Sequence, residues 1–322
     1  MMDVMFYEVF EEEQEALVRF LPKDVKAGFT EHTIQASRAK ALPAPLIAIR
    51  TQSVIPSGWR TQLAGVFTRS SGFDHLREVM RQVPRGLSCG YLPSYCARAV
   101  AEQAAMMLLA LLRQLKKQTR QFERFHRSGI VGGECLERRL LVIGVGQIGR
   151  EMVELGQGLG MQVRGVDLVE SVSSVPYVSL GEGIRWAQAI VVCLPLTELT
   201  HGMLNYQALK EVEHGAILVN VSRGEITPLR DLERLLQEGI LGGVGLDVYE
   251  EESSLSEALR RGRGKKKAET QLILSLKDRD NVILTPHNAF NTREALEKKA
   301  RQSVEALVGF LKDNRFPEPY RC

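Results

Sequence analysis

The sequence predicts an α/β protein whose larger domain is a doubly wound parallel sheet and whose second, smaller domain is also α/β. Two observations predict this class. Short apolar runs alternate with helical patterns along most of the 322 residues, and strands that alternate with helices form parallel sheets covered on both faces. One apolar run in the middle of the chain breaks into the glycine-rich turn GVGQIG and continues directly into a helical pattern.

Composition narrows the class of protein. Hydrophobic residues make up 44% and charged residues 25% of the chain, as in soluble globular proteins. The formal net charge of +3 is too small to favour a nucleic-acid partner. There is no basic start followed by an apolar segment and no run of eighteen apolar residues, so we expect a cytoplasmic protein without a membrane partner. The five cysteines form no CxxC pair, which favours reduced thiols and no metal site.

The first hundred residues predict a small α/β domain. Strand-like runs are DVMFYEVF, LIAIRT, LAGVFTR and LSCGYL, and helical patterns are EEEQEALVRFL and DHLREVMRQV. A long helical pattern then begins near Arg98 and runs through AVAEQAAMMLLALLRQLKKQTRQFERF.

The rest of the chain predicts seven strands with short helical crossovers. After the glycine turn and the run MQVRGV, the strand-like runs are YVSL, AIVVCLP, AILVNVS, GVGLDV and VILTP. The tail NTREALEKKARQSVEALVGFLKDN is a long amphipathic helix. If this helix packs on the first domain, that domain is discontinuous in sequence.

The glycine turn is typical of a dinucleotide site. Gly144 allows the tight reversal, Gly146 lets the backbone approach a pyrophosphate, and Gly149 lets the helix pack closely on the strand. The N–H groups at the start of that helix, at Gln147 and Ile148, are suited to bind phosphate. The alternative is an ordinary strand-to-helix loop.

Asp167 favours the dinucleotide interpretation. It follows Gly149 by eighteen residues and ends the next apolar run. A carboxylate at this place accepts hydrogen bonds from the adenosine ribose hydroxyls and repels a 2′-phosphate, so the expected cofactor is NAD rather than NADP.

Three side chains at the ends of later strands are candidates for the chemistry. Arg223 in NVSRGE offers a planar fork for a carboxylate, and His287 in LTPHNAF suits a proton donor or acceptor. Glu252, after GLDVYE, provides a carboxylate for that histidine. The alternatives are a surface arginine, a histidine bonded to backbone, and one of three consecutive glutamates on a solvated loop.

The segments GVGQIG, Asp167, NVSRGE, GLDVYEEE and TPHNAF, in this order and spacing, resemble the D-isomer-specific 2-hydroxyacid dehydrogenase family. The resemblance extends from about Leu46 to the final helix. It implies a Rossmann-type NAD domain over residues 98–288 and a flavodoxin-like substrate domain over residues 1–97 and 289–322. It also implies NAD-dependent interconversion of a 2-oxo acid and a D-2-hydroxy acid, and a homodimer across the helix that follows Arg98.

The same resemblance implies roles for individual residues. Arg223 would bind the substrate carboxylate and carbonyl, His287 would be the acid/base and Glu252 would tune it. Asp247 would face the nicotinamide. The substrate contacts would be the backbone of Ser71 and Gly72 together with Tyr95 and Phe290, and the further cofactor contacts would be Val100, Leu194, Pro195, Thr200 and Val221.

Phe290 and Tyr95 resemble the D-lactate dehydrogenase branch, which suggests a small apolar substrate side chain. Two departures from the family pattern are Glu137-Arg138-Arg139-Leu140 before the dinucleotide turn and Ser222 beside the arginine. The basic segment from Arg260 to Lys267 is interpreted as a solvated loop, with an anion-binding lid or a contact for acidic partners as alternatives. The competing function is a dinucleotide-sensing co-repressor-like binding protein on the same fold.

Overall fold

The computed structural model describes residues 2–72, 76, 87–261 and 268–319. The described chain forms two compact units, which are treated separately. Unit 1 consists of Met1–Cys96 and Asn291–Cys322, and unit 2 of Ala97–Phe290. The domain boundaries implied by the family resemblance lie between residues 97 and 98 and between residues 288 and 289.

The elements in chain order are as follows. The strands are β1 Val4–Phe6, β2 Ala27–Phe29, β3 Leu46–Ile49, β4 Gly65–Thr68, β5 Ser88–Gly90, β6 Arg139–Ile143, β7 Gln162–Val166, β8 Ala189–Val192, β9 Ala216–Asn220, β10 Leu241–Leu246 and β11 Val282–Leu284. The helices are α1 Glu11–Phe20, α2 Ile34–Ser37, α3 Ala97–Leu112, α4 Leu115–Phe122, α5 Gln147–Gly158, α6 Leu180–Trp186, α7 Tyr206–Leu209, α8 Leu229–Gln237, α9 Glu252–Arg261, α10 Ala268–Leu276 and α11 Arg293–Asp313. Short 3₁₀ turns cover Ser57–Trp59 and Gly224–Ile226.

Unit 1 is built on a parallel sheet in the order β2-β1-β3-β4-β5, the flavodoxin-like order. The strand β2 was not anticipated from its sequence, AGF, which carries a single large apolar side chain. Helix α11 belongs to this unit, so its two sequence segments are distant along the chain. The helical pattern DHLREVMRQV lies outside the described residues except for Leu76, which is buried.

Unit 2 is built on a parallel sheet in the order β11-β10-β9-β8-β6-β7. All residues of the two central strands, β9 and β8, are buried, as expected where helices cover both faces of a parallel sheet. The strand order reverses at β6, whose neighbours are β7 and β8. Ligands of doubly wound sheets bind at such a reversal, and the predicted α/β class is confirmed.

Two predictions about single elements of unit 2 are wrong: a strand at YVSL and one continuous helix after Arg98. The segment YVSL contributes one isolated bridge, between Tyr177 and Gly165, instead of a strand. Ser179 there caps helix α6, because its hydroxyl accepts a hydrogen bond from the Glu182 N–H at 3.3 Å.

The long helix expected after Arg98 is divided into α3 and α4. Gln114 between them has a φ of 51°. The Leu112 carbonyl accepts a hydrogen bond from the Gly133 N–H at 2.8 Å instead of continuing the helix. A tertiary contact therefore ends a segment whose local pattern is helical throughout.

Candidate active site

The glycine turn after β6 depends on close backbone contacts. Gly144 has a φ of +91°, and a Cβ added there would lie 2.8 Å from the carbonyl carbon of Cys193. A Cβ on Gly149 would lie 1.9 Å from the Gly144 oxygen. Both positions require glycine if α5 is to follow β6 this closely.

The N-terminus of α5 faces open space. Gly146 is exposed, and a Cβ built on it has no atom within 4 Å. The helix has no side-chain cap at Gly146, so the N–H groups of its first turn, which no helix satisfies internally, are available to a ligand. Gln147 is exposed and Ile148 half-buried. Space, N–H donors and the positive end of a helix dipole together fit a diphosphate.

Asp167 lies at the carboxyl end of β7, beside the glycine turn. Its Oδ2 accepts a hydrogen bond from the Val145 N–H at 2.6 Å and its Oδ1 one from the Val169 N–H at 3.2 Å. These bonds fix the carboxylate and leave each oxygen a further lone pair. The following Leu168 is 93% exposed and apolar, so it offers no charge to a 2′-phosphate. The residues present fit the ribose of NAD.

The loop after β9 that carries Arg223 is organised by Asn220. This amide is fully buried; its Oδ1 accepts from the Ser222 N–H at 2.9 Å and its Nδ2 donates to the Arg223 carbonyl at 2.8 Å and to the Thr227 hydroxyl at 2.8 Å. Asn220 was not predicted as a site residue, although a polar side chain at the end of an otherwise apolar strand is a sequence signal for such a role.

Gly224 joins this loop to the next one. A Cβ at Gly224 would lie 2.0 Å from the carbonyl carbon of Tyr249 and 2.2 Å from the Glu250 nitrogen. Only glycine therefore lets the Arg223 loop pack against the backbone that leads to Glu252. Arg223 is half-buried, and its Nη1 donates to the Ser222 carbonyl at 2.7 Å.

His287 and Glu252 are in direct contact. The Nδ1 of His287 is 2.7 Å from Oε1 and 2.9 Å from Oε2 of Glu252, and the two side chains are 27% and 31% exposed. With Nδ1–H donated to the carboxylate, Nε2 is the nitrogen that can take up or release a proton. The Phe290 ring meets the imidazole edge to face at a centroid distance of 6.2 Å. The neighbouring Glu250 has another role: its Oε2 accepts from the Leu229 N–H at 2.9 Å.

Asp247 holds the loop on which His287 lies. It is fully buried; its Oδ1 accepts from the Asn288 N–H and the Thr285 hydroxyl, and its Oδ2 accepts from the Ala289 N–H at 2.9 Å. These bonds flank His287, whose φ of 51° is unfavourable for a residue with a Cβ. The family resemblance implies that Asp247 faces the nicotinamide; in the structure its carboxylate holds the residues on both sides of His287.

The remaining predicted cofactor contacts have mixed exposure. Thr200 closes the loop after β8, with its hydroxyl donating to the Pro195 carbonyl at 2.7 Å. Pro195 is exposed and Leu194 half-buried. Val221, directly after β9, is buried, and so is Val100, near the start of α3.

The predicted substrate residues of unit 1 lie next to one another. The Ser71 hydroxyl is 3.9 Å from the Cys96 sulfur, adjacent to the buried Tyr95. The Gly72 carbonyl accepts a hydrogen bond from the Ser70 hydroxyl at 2.7 Å. Desolvation by burial raises the pKa of Tyr95, so its phenol stays protonated at neutral pH.

Comparison with known proteins identifies the family. The family model described as "D-isomer specific 2-hydroxyacid dehydrogenase, NAD binding domain" matches residues 105–289. The chain belongs to the D-isomer-specific 2-hydroxyacid dehydrogenase family. It is 30% identical over 255 residues to a D-lactate dehydrogenase of Lactiplantibacillus plantarum, covering 77% of this chain and 75% of that one.

Two further relatives cover almost the whole chain. A D-specific alpha-keto acid dehydrogenase of Enterococcus faecium is 27% identical over 316 residues, covering 95% of this chain and 96% of that one. The crystal structure of D-lactate dehydrogenase from Aquifex aeolicus, complexed with NAD and lactic acid, is 29% identical with a TM-score of 0.84, over 97% of this chain and 96% of that one.

The family assignment sets the activity and the cofactor. The chain is an NAD-dependent D-2-hydroxyacid dehydrogenase, and the cofactor predicted from Asp167 and the glycine turn is confirmed. None of these similarities supports the co-repressor alternative.

Proposed function

We propose that Arg223, Glu252 and His287 carry the interconversion of a 2-oxo acid and a D-2-hydroxy acid. The observation that supports this best is the contact of His287 Nδ1 with the Glu252 carboxylate at 2.7 Å. His287 lies on the loop after β11, and Glu252 is the first residue of α9, which follows β10. Open α/β sheets bind their ligands at these strand ends.

When bound, NADH would supply the hydride in the reduction and NAD⁺ would accept it in the oxidation. His287 donates the proton on Nε2 to the substrate oxygen during reduction and takes it back during oxidation. Glu252 accepts the Nδ1 hydrogen bond throughout, so it fixes the ring orientation and stabilises the imidazolium. Asp247 keeps the histidine loop in place.

Arg223 binds the substrate in this proposal. Its guanidinium fork matches a carboxylate and also polarises the adjacent carbonyl, which favours addition to the carbonyl carbon. The backbone of Ser71 and Gly72 and the Tyr95 side chain bind substrate from unit 1. Unit 1 is accordingly the substrate domain and unit 2 the NAD domain.

We assign NAD contacts to the glycine turn and the strand ends around it. Gly144, Gly146 and the first turn of α5, with Gln147, Ile148 and Gly149, would hold the diphosphate, and Asp167 would bind the adenosine ribose. The other contacts are Val100, Leu194, Pro195, Thr200 and Val221, while Asp247 acts on the nicotinamide side through the histidine loop.

Substrates with a small apolar side chain fit best. Phe290 beside His287 offers an apolar surface, and the relatives include D-lactate dehydrogenases and, at 29% identity over 253 residues, a glyoxylate reductase of Pyrococcus furiosus. We therefore place pyruvate and compounds of similar size first among the 2-oxo acids.

Loss of NADH absorbance in the presence of a panel of 2-oxo acids tests this function. Purified protein should turn over at least one of them, and His287→Ala should reduce kcat about a thousandfold or more, because proton transfer and its positioning are both lost. His214→Ala, an exposed histidine of the same unit, is the control and should be active. NADH binding without turnover of any 2-oxo acid would contradict the proposal.

We also propose a homodimer. The segment from α3 to Leu136 carries a series of exposed large apolar side chains: Met106, Leu109, Leu115, Phe122, Phe125, Val131 and Leu136, with Phe122 at 74% and Val131 at 87% exposure. Exposed apolar groups concentrated in one stretch favour an interface. Light scattering should give twice the mass of 36.0 kDa, and the double variant Phe122→Glu, Phe125→Glu should give a monomer; a monomeric wild type would contradict the proposal.

A cytoplasmic location is proposed because the four described cysteines are free thiols, as is usual in a reducing compartment. No helix in the described part of the chain is long and apolar enough to cross a membrane. Recovery of the protein mainly outside the cytosolic fraction would contradict this location. Most of the basic segment from Arg260 to Lys267 lies outside the described residues; Arg260 and Arg261 are the last two residues of α9.

A further inference from the structure

Unit 1 contains three charged side chains that are buried together, here called the buried triad: Glu13, Arg69 and Lys299. The Glu13 Oε1 accepts from Arg69 Nε at 3.0 Å and from Lys299 Nζ at 2.6 Å. The exposed fractions of the Arg69, Glu13 and Lys299 side chains are 0%, 1% and 5%. Charged side chains are rarely buried to this extent, so the triad requires a reason.

Arg69 connects the triad to the predicted substrate loop. Its Nη1 donates to the Ala48 carbonyl at 2.8 Å and its Nη2 to the Tyr7 carbonyl at 2.9 Å, at the carboxyl ends of β3 and β1. Arg69 also directly precedes the loop of Ser70, Ser71 and Gly72. The guanidinium therefore fixes the point at which this loop leaves the sheet.

Lys299 connects the triad to Tyr95. The Lys299 Nζ lies 6.0 Å from the centroid of the Tyr95 ring, within reach of a cation–π interaction. The adjacent Lys298 donates to the Ser94 carbonyl at 3.1 Å. Both segments of unit 1 to which we assign substrate contacts are thus held by the triad and by α11.

The charge balance indicates that Lys299 is not needed for stability. Glu13 and Arg69 already form a neutral pair, so the ammonium adds a positive charge and a desolvation cost. Burial lowers the pKa of Lys299, Glu13 opposes this effect and Arg50 and Arg69 act with it, and together they place the pKa at about 7. The other titratable groups near it are Tyr95 and Cys96. Side chains that lower the stability of the fold without an evident compensating interaction are typical of functional sites.

We propose that Lys299 is a positioning residue for substrate binding: through the buried triad it orients Tyr95 and the loop of residues 70–72. This inference rests on the proposed function. It adds a residue of α11 to a site otherwise built from the residues of the family motifs.

Steady-state kinetics of Lys299→Met test it, because methionine keeps the length of the side chain and removes the charge. The KM for the 2-oxo acid should rise about tenfold or more, while kcat and the KM for NADH stay within about twofold. This pattern is expected when an interaction that binds the substrate equally well in the ground state and the transition state is lost. The melting temperature should not fall. Lys312→Met, an exposed lysine of the same helix, is the matched control and should match the wild type in all four quantities.

A double-mutant cycle with Tyr95→Leu tests the route through the tyrosine. If Lys299 acts through Tyr95, the KM of the double variant should not exceed that of the more impaired single variant by more than about twofold. Multiplying effects would contradict this route.

Other outcomes separate this inference from the proposed function. An unchanged KM in Lys299→Met, with an active wild type, overturns the positioning role alone. A lower melting temperature with a proportional loss of active enzyme, repeated in Lys299→Gln, shows a purely structural lysine and also overturns it. A wild type that reduces no 2-oxo acid overturns both.

Discussion

Unit 1 and unit 2 each use a glutamate to hold a basic side chain, but in different surroundings. In unit 2, Glu252 and His287 are 31% and 27% exposed. In unit 1, Glu13 is 1% exposed and is shared by Arg69 and Lys299. A partly exposed pair can exchange a proton with a substrate. A buried triad can act only through the segments that it holds.

The energetics differ in the same way. Burial raises the pKa of Glu13, but Arg69 and Lys299 outweigh this effect, so its pKa lies well below the ordinary value. Glu13 therefore stabilises unit 1 as long as it is ionised, and the contribution is lost as the pH falls below its ordinary range. Removal of the buried carboxylate should affect stability, whereas removal of the exposed one should affect catalysis.

The largest expected effect on stability is that of Glu13→Gln. Loss of this carboxylate leaves two buried cations without an anion, which should lower the free energy of unfolding by about 3–5 kcal/mol at pH 7. Urea unfolding measures the change, with the neighbouring exposed Glu12→Gln as control. An unfolding midpoint equal to that of the wild type would contradict a charge-paired triad.

Glu252→Gln should produce the opposite result. The amide cannot stabilise an imidazolium as the carboxylate does, so kcat/KM should fall about 10–100-fold, while the free energy of unfolding should change by less than about 0.5 kcal/mol. The control is Glu251→Gln, the exposed neighbour in the same run of glutamates. Equal losses of activity in Glu252→Gln and Glu251→Gln would contradict a specific role of Glu252 beside His287.

The features that can be predicted from sequence are those encoded locally. The glycine turn, Asp167 and the strand ends that carry Arg223 and His287 follow from apolar runs and from short motifs. The break between α3 and α4 does not, because the cause is a contact of Leu112 with Gly133. The bridge at Tyr177 likewise depends on its neighbour Gly165.

The buried triad lay beyond sequence reasoning for a similar reason. Glu13 and Lys299 come from opposite ends of the chain, and Glu13 is one of three consecutive glutamates at the start of α1. A weak signal was present: Glu13 shares its helix face with the buried Ala16 and Leu17. The helical periodicity therefore indicates that Glu13 faces inward, but it does not indicate which side chains pair with it.

A smaller effect is expected at the cofactor. Asp167→Ser removes the charge that repels a 2′-phosphate, so the ratio of kcat/KM for NADPH to that for NADH should rise about tenfold. Rates with the two cofactors at a fixed 2-oxo acid concentration measure this ratio. The exposed Glu170→Ser is the control. An unchanged ratio would mean that Asp167 does not contact the ribose.

A dependence of stability on pH is expected from Lys299. The pKa of Lys299, at about 7 in the folded protein, lies below the ordinary lysine value of 10.5. Between these values the unfolded chain binds more protons, so the free energy of unfolding should rise with pH, by at most about 1.4 kcal/mol per pH unit for one group. Urea unfolding at pH 7 and pH 9 should show this rise in the wild type and a smaller one in Lys299→Met; equal slopes would contradict the assignment.

Chiral analysis of the product tests the central claim most directly. Protein, NADH and pyruvate, 3-hydroxypyruvate or 4-methyl-2-oxopentanoate would be incubated and the hydroxy acids separated by chiral chromatography. The structure predicts the D isomer from the wild type with at least one of the three acids, and only traces from His287→Ala. An L or racemic product, or equal amounts of product from the two proteins, would contradict the assignment of His287 as the proton donor of a D-2-hydroxyacid dehydrogenase.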